Sequence, residues 1–296
     1  MTTTPQTTAQ AAAGATPQAT PQAAVQPRTA IRTLTADEVA AFRAAVRADL
    51  PAAEASGASP VHAFVLAHTL ADATVRDLAA AEPEPVSVVH LGQDIRIEQP
   101  LLPGERITVA LDVAGARREP RGTRVAVRAR LTGADGTPRA ELLTSALLMG
   151  AAAIVPFGQI PAPAAPAPSG GAGEPSAAEH RLTPAWIRGY AHASGDLNPI
   201  HLDDRAAKDA GFPGVIAHGM SVLALAVEEI ADRYADGDVT RVTAVSGRFS
   251  APVVPDVPLA VELAPDADRT LVRFTCRTPS GIAVKSGWAQ LAGRRP

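Results

Sequence analysis

Apolar positions along the chain fall into two successive sets with the same layout. In the first, Val39, Phe42 and Val46 line one face of a helix that opens at Thr35, with Glu38 at the capping-box spacing. In the second, Thr183 precedes Pro184, a residue suited to the first helical position. Ile187, Tyr190 and Ala191 then form the apolar stripe, and Ser194-Gly195 ends the helix. Each set continues with a longer helix, over 62–78 and 218–234, that is apolar around most of its circumference. Such a helix is wrapped by other structure rather than laid on a surface. β-type runs follow at 86–98, 106–114, 123–132 and 140–149, and again at 242–250, 259–263, 270–278 and 282–291. Turn signals such as Pro103-Gly104, Asp135-Gly136 and Ser280-Gly281 separate them.

Helices followed by an antiparallel meander predict an α+β fold, here twice over. A short internal match supports duplication: the run QPLLPG at 99–104 parallels APVVPD at 251–256. Between the two sets, residues 156–179 are rich in Pro, Ala and Gly, which removes amide donors and adds flexibility. The expected division is therefore a tail over 1–30, a first domain over 31–155, a linker over 156–180 and a second domain over 181–296. Residues up to about Gln26 are Thr, Ala, Gln and Pro without a basic start or a leucine-rich segment, so they do not read as a signal peptide, and disorder is expected.

Composition narrows the function class. The formal net charge is -3, with no bulk field to attract nucleic acid or anionic lipid. No apolar run approaches the ~20 residues of a membrane span, and a cytoplasmic protein is expected. The single cysteine, Cys276, excludes an intrachain disulfide and a multi-cysteine metal site, and it reads as a small core residue.

The chemistry-bearing stretch is 190–220, YAHASGDLNPIHLDDRAAKDAGFPGVIAHGM. Asp196 and His201 lie in a turn framed by Ser194-Gly195 and Asn198-Pro199. Asn198 is a natural N-cap and Pro199 a natural first helical residue, so a short helix to about Ala210 is expected, with His201 in its first turn. The positive helix end disfavours imidazolium, and a neutral imidazole can accept a proton. A capping aspartate and a surface histidine would equally explain that pair in isolation. The second element is His218-Gly219-Met220, which opens the second long helix. The first amides of a helix lack intrahelical partners, and a glycine lets a ligand carbonyl approach closely. This is how an oxyanion hole for a thioester enolate would be built. His218 reads as a structural residue holding the loop.

The run SGDLNPIH, then AxxAGF, then HGM, resembles the hydratase-2 motif of the MaoC-like family, which includes (R)-specific enoyl-CoA hydratases and 3-hydroxyacyl-thioester dehydratases. The layout of the chain also resembles double-hotdog members, in which two antiparallel sheets each wrap a long helix and join as a pseudo-dimer. The resemblance implies that Asp196 and His201 are the acid/base pair and that Asn198 shapes the catalytic turn. It gives the Gly219 amide to the oxyanion and makes Ser194, Gly195, Pro199, His218, Met220 and Ser221 site-shaping. It implies reversible hydration of trans-2-enoyl thioesters in fatty acid metabolism, with CoA or acyl carrier protein bearing the substrate. No metal or redox cofactor is implied. A homodimer of such chains is compatible with it. The first half departs from the motif: its long helix opens His62-Ala63-Phe64, and the preceding 50–60 offers no histidine. That half is expected to be non-catalytic, with His62 and His68 packed or exposed. Two rival readings stay open, a hotdog acyl-thioesterase and a non-catalytic acyl-thioester binding subunit.

Overall fold

The computed structural model describes residues 26–51 and 57–293. The expected disorder of the N-terminal tail falls largely outside those residues.

In chain order the elements of the first unit are β1 (Arg28–Thr33), α1 (Ala36–Val46), α2 (His62–Ala80), β2 (Ser87–Ile97), β3 (Arg106–Glu119), β4 (Gly122–Gly133) and β5 (Pro138–Met149). A two-residue strand, β6 (Phe157–Gly158), follows and pairs with β3. The second unit has β7 (Ser176–Arg181), α3 (Pro184–Ser194), α4 (Asp204–Asp209), α5 (Gly219–Tyr234), β8 (Val242–Phe249), β9 (Pro258–Pro265), β10 (Leu271–Thr278) and β11 (Gly281–Leu291). Both capping expectations hold: Thr35 and Glu38 form a reciprocal capping box, and the Thr183 hydroxyl accepts from the Trp186 amide.

The strands form one antiparallel sheet in the order β1-β3-β4-β5-β2-β8-β11-β10-β9-β7. Read from the centre outward, the two sides correspond strand for strand, as expected of a duplicated unit. The units join at β2 and β8, from Gly92 opposite Arg248 to Arg96 opposite Ala244. This edge-to-edge seam leaves neither central strand unpaired. The internal sequence match occupies the same loop in both units, before β3 and before β9. Leu101 and Val253 are its buried anchors, and Gly104 and Asp256 both adopt positive φ, 87° and 61°.

Two boundaries differ from the sequence expectation. β1 begins at Arg28, inside the stretch assigned to the tail, and β7 occupies 176–181, inside the stretch assigned to the linker. Each unit therefore opens with an edge strand before its first helix. Both strands are short and pair on one side only, so hydrophobic alternation, the usual strand signal, is weak there.

α5 is buried at every position from Met220 to Ala231, the signature of a helix enclosed by a curved sheet. α2 is more one-sided, with Asp72 and Arg76 on its outer face. Two buried carboxylates interrupt the apolar surface of α5. Glu228 receives a two-pronged contact from Arg43 (3.2 and 2.9 Å) and a third bond from Arg47 (2.8 Å), while Arg47 also grips Asp232. These bonds tie α1 of one unit to α5 of the other. Removing a single partner from a buried cluster of this kind costs ~3–5 kcal/mol, because a charge is then left unpaired. Cys276 is fully buried on β10, and burial pushes its thiol up to about 12, so it is an inert core residue.

Candidate active site

The site is built where α3 ends. Gly195 takes the left-handed conformation (φ 74°) that closes the helix, which turns the chain so that Asp196 faces inward. The Ser194 hydroxyl accepts from the Asp196 amide (3.3 Å), and Asp196 Oδ1 accepts from the Asn198 amide (3.3 Å). The Asn198 side chain in turn caps a single 3-10 turn over Pro199–His201. This corrects the expectation of one helix running from Asn198 to Ala210. The chain breaks after His201, and α4 starts afresh with Asp203 as its own cap. His201 is therefore not placed on the end of an α-helix dipole. Its neutral state has another cause. Burial lowers its pKa, against the opposing pull of the Ile216 carbonyl and Asp196.

His201 Nδ1 lies 2.8 Å from the Ile216 carbonyl, which can only accept, so Nδ1 carries the proton and Nε2 holds a free lone pair. His218 Nε2 lies 2.9 Å from the Asp196 backbone carbonyl and donates to it, tying the start of α5 to the turn. The two imidazoles stack with centroids 3.6 Å apart. Burial, with His201 beside it, pushes His218 down to about 4 despite the opposing Asp196 charge. Burial pushes the Asp196 carboxyl up. Protonated His218, His68 and His201 and the Asn198 amide pull it down, and the net direction is down. At neutral pH the cluster therefore combines an ionised carboxylate with two neutral imidazoles.

Polar atoms of Asp196, His201 and His218 lie within 4.8 Å of one another, close enough to share a small ligand. Imidazole lone pairs lie in the ring plane, and both rings already spend one nitrogen on a carbonyl. Stacked in this way they are poorly arranged to converge on a single cation.

Gly219 is the first residue of α5, and His218 makes no side-chain cap bond there. A Cβ at Gly219 would sit 2.8 to 3.1 Å from three atoms of the Phe249 ring. Glycine is needed at that position for space rather than for an unusual backbone angle. Ser221 is buried and donates to the His218 carbonyl (2.7 Å), and Met220 is buried beside it. The fold thus brings together all the residues singled out in 194–221.

Sequence reasoning missed the part of the site that comes from the first unit. His68 on α2 places Nε2 3.7 Å from Asp196 Oδ1, so it is neither simply packed nor simply exposed. Phe64, His90 and Phe249 continue from it as a series of ring contacts. Tyr190 lies under the turn, fully buried, its ring 5.0 Å from His218. A cavity of about 450 Å³ lies elsewhere, between Glu98, Gln99, Asp236 and Arg241, and shares no residue with this cluster.

The MaoC like domain family matches residues 171–273. Residues 171–273 form a MaoC-like domain. Among curated relatives, 3-hydroxyacyl-thioester dehydratase X of Mycobacterium tuberculosis is 48% identical over 80 residues, 27% of each chain. Peroxisomal enoyl-CoA hydratase 2 of Arabidopsis thaliana is 41% identical over 85 residues, 29% of this chain and 27% of the relative. The chain thus aligns with about a quarter of the length of these relatives. The fold match is wider than the sequence match. A MaoC-like dehydratase from Phytophthora capsici superposes with a TM-score of 0.75 at 19% identity, covering 90% of this chain and 95% of that one. A Mycobacterium tuberculosis protein described as a double hotdog superposes with a TM-score of 0.62 at 16% identity, covering 91% and 96%. The chain has the double-hotdog fold, and its MaoC-like domain is the second unit. No helix among the described residues is long and apolar enough to cross a membrane.

Proposed function

We propose that the protein catalyses reversible hydration of trans-2-enoyl thioesters and dehydration of (R)-3-hydroxyacyl thioesters, carried on CoA or acyl carrier protein. The observation that carries this reading is the meeting of an ionised Asp196, a neutral His201 with Nε2 free, and the amide at the start of α5.

In the dehydrating direction His201 Nε2 takes the α-proton. The electron pair of that C–H bond becomes the double bond as the β C–O bond breaks. The hydroxyl leaves as water with a proton from Asp196. Hydration is the reverse: the Asp196 carboxylate takes a proton from water, the water oxygen bonds to the β-carbon, and protonated His201 delivers a proton to the α-carbon. The working form of the pair carries one proton more than the ionised Asp196 and neutral His201 of the resting site, on Asp196 for dehydration and on His201 for hydration. Activity therefore falls when that proton leaves or a second one binds, and a bell-shaped pH profile follows. The α C–H is weakly acidic, so charge developing on the thioester oxygen must be stabilised. The Gly219 amide supplies that donor, worth ~3–4 kcal/mol in comparable oxyanion holes. The chain's own groups account for every proton moved, and no metal or redox cofactor enters the scheme. The (R) configuration rests on the family resemblance.

A hotdog thioesterase or a non-catalytic binding subunit would share the fold. Absorbance of the conjugated enoyl thioester separates the three. With crotonyl-CoA and a longer homologue, the expected result is loss of the double bond without release of free thiol. Thiol release would favour a thioesterase, and binding without turnover a binding subunit; either overturns the proposal.

A further inference from the structure

Asp196 has a charged-class neighbour that belongs to the other unit. His68 lies on α2, the long helix of the half that lacks the acid/base motif. Its Nε2 stands 3.7 Å from Asp196 Oδ1, with the two side chains 18% and 19% exposed. That distance is within ion-pair range and too long for a direct hydrogen bond, so the contact acts through charge. The two carboxylate oxygens are addressed separately. Oδ1 faces His68 and accepts from the Asn198 amide, and Oδ2 lies 4.0 Å from His218 Nε2.

The His68 ring is held in place. It packs on Phe64 (5.3 Å between centroids), Phe64 stacks on His90 (5.8 Å), and His90 meets Phe249 edge-on (4.9 Å). Phe249 closes against Gly219. The rings therefore form one continuous wall from Asp196 to Gly219, and all but Phe249 come from the first unit.

We propose that His68 is a positioning residue for the reaction, through which the N-terminal unit sets an ionisable imidazole against Oδ1 of Asp196, orienting the carboxylate and favouring its charged form. The inference rests on the hydratase reading of the site. It also gives the non-catalytic unit a direct part in the chemistry, beyond pairing its sheet with the other.

Other groups face Asp196 too, and His218 and Arg76 also act on it through charge. His201 comes from the catalytic turn, His218 from the start of α5, Tyr190 from α3 and His90 from β2. His218 and His90 are held near 4 by burial and are uncharged near neutral pH, and Tyr190, raised well above its ordinary range, stays a neutral phenol. His201 is lowered by burial and is a reacting group itself. Arg76, on the same helix as His68, pairs with Asp72. Among the described residues of the first unit, His68 is the imidazole in ion-pair range of the carboxylate.

The test compares the full chain with H68Q, which removes the ionisable group, and H68K, which places a fixed positive charge there. Two readouts are taken: the pH profile of kcat/KM for an enoyl thioester, and the titration of the Asp196 carboxyl by ¹³C NMR, assigned with D196N. H68Q is expected to move the acidic limb and the Asp196 titration upward by ~0.5–1 pH unit, a screened version of the usual effect of a nearby opposite charge. KM and the thermal midpoint should stay near their original values, and H68K should return both titrations toward the original position. H68N repeats the comparison if glutamine disturbs packing on Phe64. Titrations unmoved in H68Q, or moved and not reversed in H68K, overturn the proposal. The NMR arm needs no turnover, so it still decides this point if the unaltered protein hydrates nothing and the functional reading falls.

Discussion

The two units share a layout of strands and helices, and the shared part is as informative as the differences. In both, a histidine stands at the entry to the long helix, His62 in one and His218 in the other. In both, that ring packs on an aromatic residue from the unit's first helix, Phe42 at 5.2 Å and Tyr190 at 5.0 Å, and those two aromatics meet each other across the units at 5.7 Å. Both histidines are pushed down to about 4, with burial the largest cause. A feature present in the unit without the acid/base motif belongs to the scaffold, so His218 organises the turn rather than moving protons. What only the second unit has is Asp196, His201 and a glycine, Gly219, where the first has the buried Ala63. On the proposed function the chemistry rests on these three local differences, with His68 facing Asp196 from the other unit.

The sharpest way to break this comparison is to remove the acid/base pair from one unit and the scaffold histidine from the other. D196N and H201A should each lower kcat by ~10³–10⁴ while the thermal midpoint holds, and the double variant should be little worse than either. H62Q should leave kcat close to its original value. Substantial turnover in D196N or H201A, or its collapse in folded H62Q, would reverse the assignment of roles.

A smaller effect tests the glycine. G219P deletes the amide and should lower kcat by ~10²–10³. G219A keeps the amide but drives a methyl group into the Phe249 ring, which should cost ~1–3 kcal/mol of stability. Adding F249L should recover stability in the alanine variant and no activity in the proline variant. Full activity in G219P would show that the thioester oxygen is held elsewhere.

The smallest effect is on stability against pH. His62 is buried with its folded pKa near 4, below the ordinary histidine value of 6.5. Between those values the unfolded chain binds the proton and the folded chain does not, so stability falls as pH drops from about 6.5 to about 4 and levels off below. H62Q should flatten that fall by up to one proton, about 1.4 kcal/mol per pH unit in the steepest part. Denaturant unfolding across the window would show it, and an unchanged slope would mean that His62 is not the neutral buried group the packing indicates.

The layout of both units, their strands and the whole chemistry-bearing run were legible in the sequence, because each depends on residues near one another in the chain. Capping oxygens bond amides two or three residues away, alternation needs one strand, and the turn from Ser194 to His201 is set by its own side chains. The same locality explains the errors. The Asn198-Pro199 cap was visible, but the break after His201 was not, because the Ile216 carbonyl that holds the imidazole comes from fifteen residues on. The edge strands β1 and β7 were hidden for a similar reason, since their neighbours β3 and β9 are distant and half of each strand's backbone is unpaired. Tertiary structure alone decided that Arg43 and Arg47 would close on Glu228, that Phe249 would crowd Gly219, and that His68 would face Asp196. Each of those contacts joins residues thirty or more apart in the chain. No periodicity or spacing marks them, and the two that cross between units exist only once the two wrapped helices have been brought together by the pairing of β2 with β8.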